Sequence, residues 1–177
     1  MENSEHQQQK KLGATMMALM WLGIFAFLAV FFSEVLDRQN NPNQAIQTAI
    51  INGNVKELTL QRNHYGHYVA NGKINSHPVV FMLDTGATDV SIPSSIARKL
   101  NLKKGPSATY QTANGPVVVS MTKLDSISLG EITLYDVRAT INPGYQSDEI
   151  LLGMSFLKHL EFSQRGNTLT LRQYPDL

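Results

Sequence analysis

An uncharged apolar run near the N-terminus constrains this chain more than any other feature of its sequence. Residues 13–32 contain no Asp, Glu, Lys, Arg or His and are rich in Met, Leu, Phe and Ala. A helix of about 20 residues is long enough to cross the hydrocarbon core of a bilayer, and it satisfies its own backbone polar groups there. The run therefore predicts one transmembrane helix at residues 13–32.

A cleaved signal peptide and a buried core helix both fit this run less well than an anchor does. A signal peptide has a shorter apolar region, of about 7–15 residues, followed by a small-x-small cleavage site. Here the run ends in Phe31-Phe32, and Ser33 and Glu34 follow it. A core helix of a globular domain usually keeps a polar stripe, which this run lacks. We therefore favour a membrane anchor.

The charges on either side of the run predict its orientation. Lys10 and Lys11 precede it, and the residues that follow it directly carry no net positive charge. The positive-inside rule then places residues 1–12 in the cytoplasm and the rest of the chain outside it, which means the periplasm if the source is a bacterium. The predicted organisation is completed by a polar linker at residues 33–54 and a folded domain at residues 55–177.

The folded domain has a sequence pattern that is typical of β structure. Short runs rich in Val, Ile, Thr and Tyr alternate with Asn-Gly, Asn-Ser and Leu-Gly turn signals, which indicates mostly antiparallel strands. We expect an all-β domain with one or two short helices. The predicted strands are 56–60, 67–74, 79–83, 108–112, 117–128, 132–141, 149–152 and 168–171, and the predicted helices are 94–100, 154–159 and, within the linker, 44–51.

Composition excludes several classes of function. The chain has no cysteine, which removes disulfide scaffolds, thiolate metal sites and cysteine nucleophiles. Its net charge is +1, so no broad basic field suggests nucleic-acid binding. His64 and His67 are three residues apart near a strand start rather than on a helix, so we do not interpret them as a metal pair. We expect no metal and no cofactor.

One aspartate lies at the end of a predicted buried strand, where an unpaired carboxylate destabilises the fold. Asp84 follows the apolar strand of residues 79–83 directly, and Thr85 and Gly86 follow it. A carboxylate at the end of a buried strand needs partners. Thr85 offers a hydroxyl, and Gly86 lets the backbone turn back and present amide donors. Such an arrangement is typical of a catalytic carboxylate, although a turn aspartate with Thr and Gly beside it is the structural alternative.

This segment resembles the active site of a known protease family. Residues 83–88 read Leu-Asp-Thr-Gly-Ala-Thr, which is similar to the Asp-Thr/Ser-Gly segment of retropepsin-like (retroviral-type, clan AA) aspartic proteases, here of a membrane-anchored bacterial type. Residues 149–157 resemble the family's second motif, an apolar pair followed by Gly and a short helix. The resemblance covers about residues 65–172 and implies a closed β-barrel lobe. It implies that Asp84 is catalytic, that Thr85, Gly86 and Ala87 complete the active-site loop, and that Leu151, Leu152 and Gly153 support that loop.

The family mechanism requires two aspartates that share one proton and activate a water molecule. The sequence has one Asp-Thr-Gly triplet. The resemblance therefore implies an isologous homodimer in which Asp84 of a second copy supplies the other carboxylate. It also suggests that Thr85 joins the two loops by hydrogen bonds between subunits.

Two further elements of the family are less strongly marked. Residues 110–118 turn at Asn114-Gly115 and resemble the flap hairpin that covers substrate, although an ordinary hairpin has the same signature. Asp89 falls where the family often places a substrate-contacting polar residue, and the alternative is a solvated loop charge. On the resemblance, Asp89, Asn114 and Gly115 are candidate substrate-binding residues.

Together these features predict a membrane-anchored aspartic endopeptidase. Its expected partners are a second copy of itself, a peptide or protein substrate, and the membrane through residues 13–32, with no nucleic acid. The alternatives are a non-catalytic module of the same fold that binds peptides or assists assembly in the envelope, and a purely structural anchored β domain. A module that had lost catalysis would usually have lost Asp84 or Gly86, and both are present.

Overall fold

The computed structural model describes residues 2–112 and 115–175. The chain divides into two compact units, Met1–Gln39 and Asn40–Leu177. The helices are α1 (Glu2–Asn40), α2 (Ser94–Lys99) and α3 (Met154–Leu157). The strands are β1 (Thr48–Ile51), β2 (Val55–Gln61), β3 (Val69–Ile74), β4 (His77–Leu83), β5 (Val90–Pro93), β6 (Ser107–Thr112), β7 (Gly115–Leu129), β8 (Ile132–Asn142), β9 (Glu149–Leu152), β10 (Glu161–Arg165) and β11 (Thr168–Gln173).

The first unit is a single long helix that contains the apolar run. The segment Thr15–Asn40 of α1 is long and apolar enough to cross a membrane, with a mean hydropathy of 2.2, and none of that apolar stretch is buried. A signal sequence near an N-terminus has the same properties, so the helix is a candidate for either role. It continues beyond the predicted span on both sides, because its flanks are rich in good helix formers such as Glu, Gln, Lys and Leu. An ion pair between Arg38 and Glu34, at 2.7 Å, supports the last turns.

Six of the described strands form a closed barrel in the second unit. The strand order β3-β4-β9-β5-β8-β7 returns to β3 through pairing of Lys73 with Ser128 and of Ile74 with Ile127. Most neighbours are antiparallel, whereas β4 with β9 and β5 with β8 are parallel. At the closing seam β3 approaches so closely that a Cβ on Gly72 would collide with the Ser128 carbonyl oxygen. The predicted all-β class with a closed barrel is confirmed.

The barrel is filled by inward-facing apolar side chains from all its strands. Alternate residues point inward along each strand, and Phe81 on β4 and Phe156 on α3 are the largest of them, both fully buried. The other fully buried large side chains of the barrel strands are Ile74, Ile92, Leu124, Ile127, Leu129, Ile132, Ile141 and Ile150, and Leu58 and Leu60 of β2, outside the barrel strands, join the same core. Because packed cores resist deformation, this interior gives the loops at the strand ends a rigid support.

A second sheet of four strands, ordered β1-β2-β11-β10, combines the beginning and the end of the unit. The helix predicted at residues 44–51 is wrong, since Thr48–Ile51 is a strand that pairs with β2 from Thr48↔Leu58 to Ile51↔Val55. The turn between them carries Asn52 at φ 46° and Gly53 at φ 90°. This tight hairpin turn fixes the pairing, and pairing overrides the weak helical pattern of the segment.

The segment predicted as a linker, residues 33–54, is structured for most of its length. Its first part belongs to α1, and after Asn40 the chain packs onto the barrel unit. The buried Asn43 side chain donates to the carbonyl oxygens of Gln61 (2.9 Å) and Val69 (2.7 Å) and accepts the Gln61 N–H (2.7 Å). Because a buried polar group must find partners, this asparagine fixes the segment to β2 and β3. Hydrogen bonds that reach across 18 and 26 residues could not be read from local sequence pattern.

Candidate active site

Asp84 lies at the carboxyl end of β4, where the strand leaves the barrel. Its backbone N–H donates to the Leu152 carbonyl oxygen at 3.2 Å, so the parallel pairing of β4 with β9 extends to this residue. Its half-buried side chain accepts the Gly86 N–H through Oδ1 at 2.8 Å. A Cβ on Gly86 would lie 3.1 Å from that Oδ1, which is tighter than ordinary contact. Glycine therefore gives the carboxylate a backbone donor at close range, as the sequence predicts.

The second motif packs directly against the Asp84 loop. After β9, the N–H groups of Met154 and Ser155 donate to the carbonyl oxygens of Ala87 (2.8 Å) and Thr88 (2.9 Å). These bonds require the two backbones to touch, and a Cβ on Gly153 would collide with the Asp89 carbonyl oxygen. Gly153 is therefore a close-approach residue that supports the loop.

Ser155 is a supporting residue that sequence reasoning missed. Its buried hydroxyl accepts the Val90 N–H at 2.9 Å and donates to the Arg138 carbonyl oxygen at 2.8 Å. The side chain thus joins the end of the Asp84 loop to β8 from the start of α3. The only sequence signal was a serine at the first turn of a short helix, which resembles an ordinary cap.

Thr85, the residue after the aspartate, lies in an exposed part of the loop. It is exposed, as are Gly86 and Thr88, whereas Asp84 and Ala87 are half-buried. The loop therefore presents the carboxylate and a hydroxyl side by side at the surface of this single chain. That arrangement leaves both groups accessible to a second molecule.

Asp89 is buried and bonded to two side chains of the chain itself. The solvated loop charge is wrong, because the Asp89 side chain is only 1% exposed. Its Oδ2 accepts the Tyr110 hydroxyl at 2.5 Å and its Oδ1 accepts the Arg138 Nε–H at 2.8 Å. The hydrogen bond to the Asp89 carboxylate raises the pKa of Tyr110 and of Arg138 above their ordinary values. Both carboxylate oxygens thus have protein partners within the chain, and the predicted substrate contact by Asp89 remains a prediction.

The candidate flap is the hairpin of β6 and the first part of β7. The two strands pair from Ser107↔Ser120 to Thr112↔Gly115. Asn114, one of the candidate substrate-binding residues, lies outside the described residues. Gly115 begins β7 with φ at 103°, and its carbonyl oxygen accepts the Thr112 hydroxyl at 2.7 Å. A hairpin therefore lies where the flap is predicted, and its contact with substrate stays a prediction.

The loop between β8 and β9 contains a half-buried tyrosine that the sequence did not mark. Burial, together with the charges of Glu149 and Asp84, raises the pKa of the half-buried Tyr145. In the same loop, a Cβ on Gly144 would lie 3.1 Å from Val117 Cγ2 of β7. This loop therefore packs against the candidate flap at Val117, and Tyr145 stays a neutral phenol at physiological pH.

Known proteins share this arrangement. The sequence model of the family described as gag-polyprotein putative aspartyl protease matches residues 70–159. The crystal structure of a retropepsin-like aspartic protease from Rickettsia conorii superimposes with a TM-score of 0.58 at 30% identity, covering 73% of this chain and 96% of that one. The chain belongs to the retropepsin-like aspartic protease family.

Two curated proteins are also similar to this chain, and both are described as uncharacterized. An uncharacterized protein from the cobV 5′ region of a Sinorhizobium species is 33% identical over 121 residues, 66% of this chain and 52% of that protein. The uncharacterized protein RP867 of Rickettsia prowazekii is 30% identical over 123 residues, 68% of this chain and 52% of that protein. The chain thus spans about half the length of these relatives.

The family match places the retropepsin-like part of the chain within the barrel. Residues 70–159 run from β3 to just beyond α3. They contain the Asp84 loop, the candidate flap and the Gly153 motif. The four-stranded sheet of β1, β2, β10 and β11 lies outside the matched span.

Proposed function

We propose that this retropepsin-like protein is a membrane-anchored aspartic endopeptidase whose active site forms between two copies of the chain. The observation that carries the proposal is the Asp84 loop. It holds one half-buried carboxylate on a backbone amide, beside the exposed Thr85, at the rim of a rigid barrel. A structural turn aspartate would not require the backbone contacts that Gly153 permits behind the loop.

The proposed chemistry needs a pair of carboxylates. Two aspartates about 3 Å apart cannot both ionise, so they share one proton. The ionised member removes a proton from a water molecule between them, and the protonated member donates to the oxygen of the scissile carbonyl. The water oxygen attacks the carbonyl carbon, and the C–N bond breaks after the nitrogen is protonated. No covalent intermediate with the protein forms.

The second carboxylate has to come from another chain. The sequence contains one Asp-Thr-Gly triplet, and the nearest other aspartate along the chain, Asp89, is buried and paired with Tyr110 and Arg138. A two-fold axis beside the loop would bring the two Asp84 carboxylates together. The exposed Thr85 would then face the partner loop, where its hydroxyl can bond across the axis. The proposed partners are thus a second copy of the chain and a peptide or protein substrate.

Cleavage of peptides should depend on pH in a way that identifies the dyad. We expect the full-length protein in detergent to cut members of a peptide library with a bell-shaped rate profile in the acidic range. Activity falls at high pH because both carboxylates ionise, and at low pH because both are protonated. The measurement is the initial rate of product formation by mass spectrometry across about pH 3–9. A rate that rises steadily to the alkaline end would rule out a carboxylate dyad, and no cleavage at any pH would favour a non-catalytic peptide-binding module.

We further propose that α1 anchors the protein with the catalytic unit outside the cytoplasm. Lys10 and Lys11 before the apolar run support this orientation. A reporter that is active only outside the cytoplasm, fused to the C-terminal end, should be active and should remain in the membrane fraction at full mass. The matched control lacks residues 13–32 and should be inactive in this assay. An active reporter that is released into the soluble fraction at reduced mass would mean that α1 is a cleaved signal sequence, and activity of a cytoplasmic reporter alone would reverse the topology.

A further inference from the structure

A buried carboxylate directly after the active-site loop connects three separate parts of the barrel unit. Asp89 lies between the Asp84 loop and β5, with its side chain 1% exposed. Its partners come from β6, through Tyr110, and from β8, through Arg138. The partners lie 21 and 49 residues further along the chain. The cluster is therefore a tertiary link rather than a local turn.

The backbone of Asp89 is held firmly, so its carboxylate is a fixed point. The next residue, Val90, begins β5 and donates its N–H to the Ser155 hydroxyl at 2.9 Å. On the other side, Gly153 packs against the Asp89 carbonyl oxygen without room for a Cβ. Any group that binds the Asp89 side chain is consequently held at a fixed position relative to the loop that carries Asp84.

Tyr110 is the residue that connects this fixed point to the candidate flap. It lies in the middle of β6 and pairs with Val117 of β7. Its hydroxyl donates to Asp89 at 2.5 Å and lies 3.9 Å from Met121 Sδ. Among the described strands, β6 is an edge strand that pairs with β7 alone. The backbone hydrogen bonds between two strands give an edge hairpin little rigidity. The hydrogen bond from Tyr110 to the Asp89 carboxylate is therefore an important constraint on the position of the hairpin.

The charge on Asp89 explains why this bond is strong. A buried carboxylate without partners is costly, and hydrogen bonds to ionised groups are stronger than those between neutral groups. Arg138 satisfies one oxygen from the barrel wall, while its own side chain is 60% exposed. The second oxygen depends on the Tyr110 hydroxyl. If the hairpin moved away, that oxygen would lose its partner, so the bond resists opening of the hairpin.

We propose that Asp89 and Tyr110 are positioning residues that fix the flap hairpin relative to the Asp84 loop, and that Asp89 does not contact substrate. This inference rests on the proposed function for its role in catalysis, but the mechanical link itself does not. The bond from Arg138 to Oδ1 orients the Asp89 carboxylate from within the chain, so its position does not depend on bound substrate. This role would take the place of the substrate contact predicted for Asp89.

Tyr110→Phe tests the link by removing one hydroxyl and little else. The matched control is Tyr135→Phe, because Tyr135 lies on β8 with its side chain exposed. Full-length proteins in detergent are compared by hydrogen exchange followed by mass spectrometry. We expect peptides that cover β6 and the first half of β7 to exchange about ten-fold faster or more in Tyr110→Phe, with β2 and β11 unchanged. Tyr135→Phe should match the wild type throughout.

The same variants separate this proposal from the proposed function. With a cleavable peptide, Tyr110→Phe should raise KM by at least about five-fold with a smaller change in kcat, because the hairpin must be ordered when substrate binds. Unchanged exchange of β6 and β7 in Tyr110→Phe would overturn the link, even if the enzyme is active. Faster exchange with no peptidase activity in the wild type would keep the link and overturn the proposed function.

Discussion

Replacement of Asp84 by asparagine should abolish peptide cleavage and leave the fold intact. The asparagine side chain can still accept the Gly86 N–H with its Oδ1, which Asp84 does at 2.8 Å. It cannot ionise, so a homodimer of the variant has no base to activate water. We expect the rate to fall by about 10³-fold or more with a melting temperature equal to or above that of the wild type. The matched control is Asp125→Asn at an exposed position on β7, which should keep full activity.

Mixtures of wild type and Asp84→Asn test whether the site is shared between two chains. When half of the chains at constant total concentration carry the variant and subunits exchange freely, about one quarter of the dimers contain two wild-type chains. A mixed dimer has one carboxylate and one amide, and it lacks the shared proton that polarises the substrate carbonyl. Activity should therefore fall to about one quarter. Differently tagged chains that co-purify verify that mixed dimers have formed.

The mixture also has an outcome that would contradict the dimeric site. If each chain held a complete active site, half of the activity would remain, and the decline would be linear in the wild-type fraction. The same mixing with Asp125→Asn should leave activity unchanged at every ratio, which excludes a general effect of added protein. A linear decline would overturn the shared dyad, although the family assignment of the chain would stand.

The parts of the fold that the sequence predicts are those specified by local signals. The strand before Asp84 is an uninterrupted apolar run, and β9 at Glu149–Leu152 has the predicted bounds because an apolar run ends there at Gly153. The barrel class follows from many short strands with turn signals between them. Several other strands extend one or two residues beyond their predicted bounds, since a strand lengthens where a partner is available to pair with, whereas β3 begins at Val69 rather than at 67.

The parts that the sequence did not predict depend on pairing with distant segments. β10, Glu161–Arg165, is exposed at every position and has no apolar alternation, so only its ladder with β11 makes it a strand. β1 had a readable signal in Asn52-Gly53, a dipeptide typical of tight hairpin turns, although a weak helical pattern in the same segment pointed the other way. β5, Val90–Pro93, is buried throughout and is absent from the predicted strands.

The candidate site also has residues that the sequence predicts and residues whose contacts it does not predict. Asp84, Gly86 and Gly153 are visible in the sequence because each requirement, a carboxylate, a tight turn and a close approach, selects one residue type. The burial of Asp89 is not visible, because its partners Tyr110 and Arg138 reach it only after the barrel closes. A charged residue in a loop is usually solvated, and only tertiary contacts reverse that expectation.

Of the Gly→Ala substitutions in the Asp84 loop and the second motif, Gly153→Ala should lower stability the most. The added Cβ would collide with the Asp89 carbonyl oxygen and lie 2.6 Å from that of Ala87, and both are backbone atoms that cannot turn aside. Relief requires separation of the α3 start from the Asp84 loop, which breaks the bonds from Met154 and Ser155 to the loop. Strain and two lost hydrogen bonds together should lower the free energy of unfolding by about 3–5 kcal/mol.

The matched control for this variant is Gly166→Ala, in the turn between β10 and β11. A Cβ on Gly166 would have no heavy atom within 4 Å, but φ is +60°. Alanine there therefore costs only the free energy of placing a side chain on a left-handed backbone, about 1–2 kcal/mol. Denaturant unfolding of both full-length variants in detergent measures the difference. Because the loop that moves in Gly153→Ala carries Asp84, the variant should also lose activity at temperatures where it is still folded, and Gly166→Ala should not. Equal stability losses in the two variants would mean that the close packing of the second motif against the loop does not hold the active-site aspartate in place.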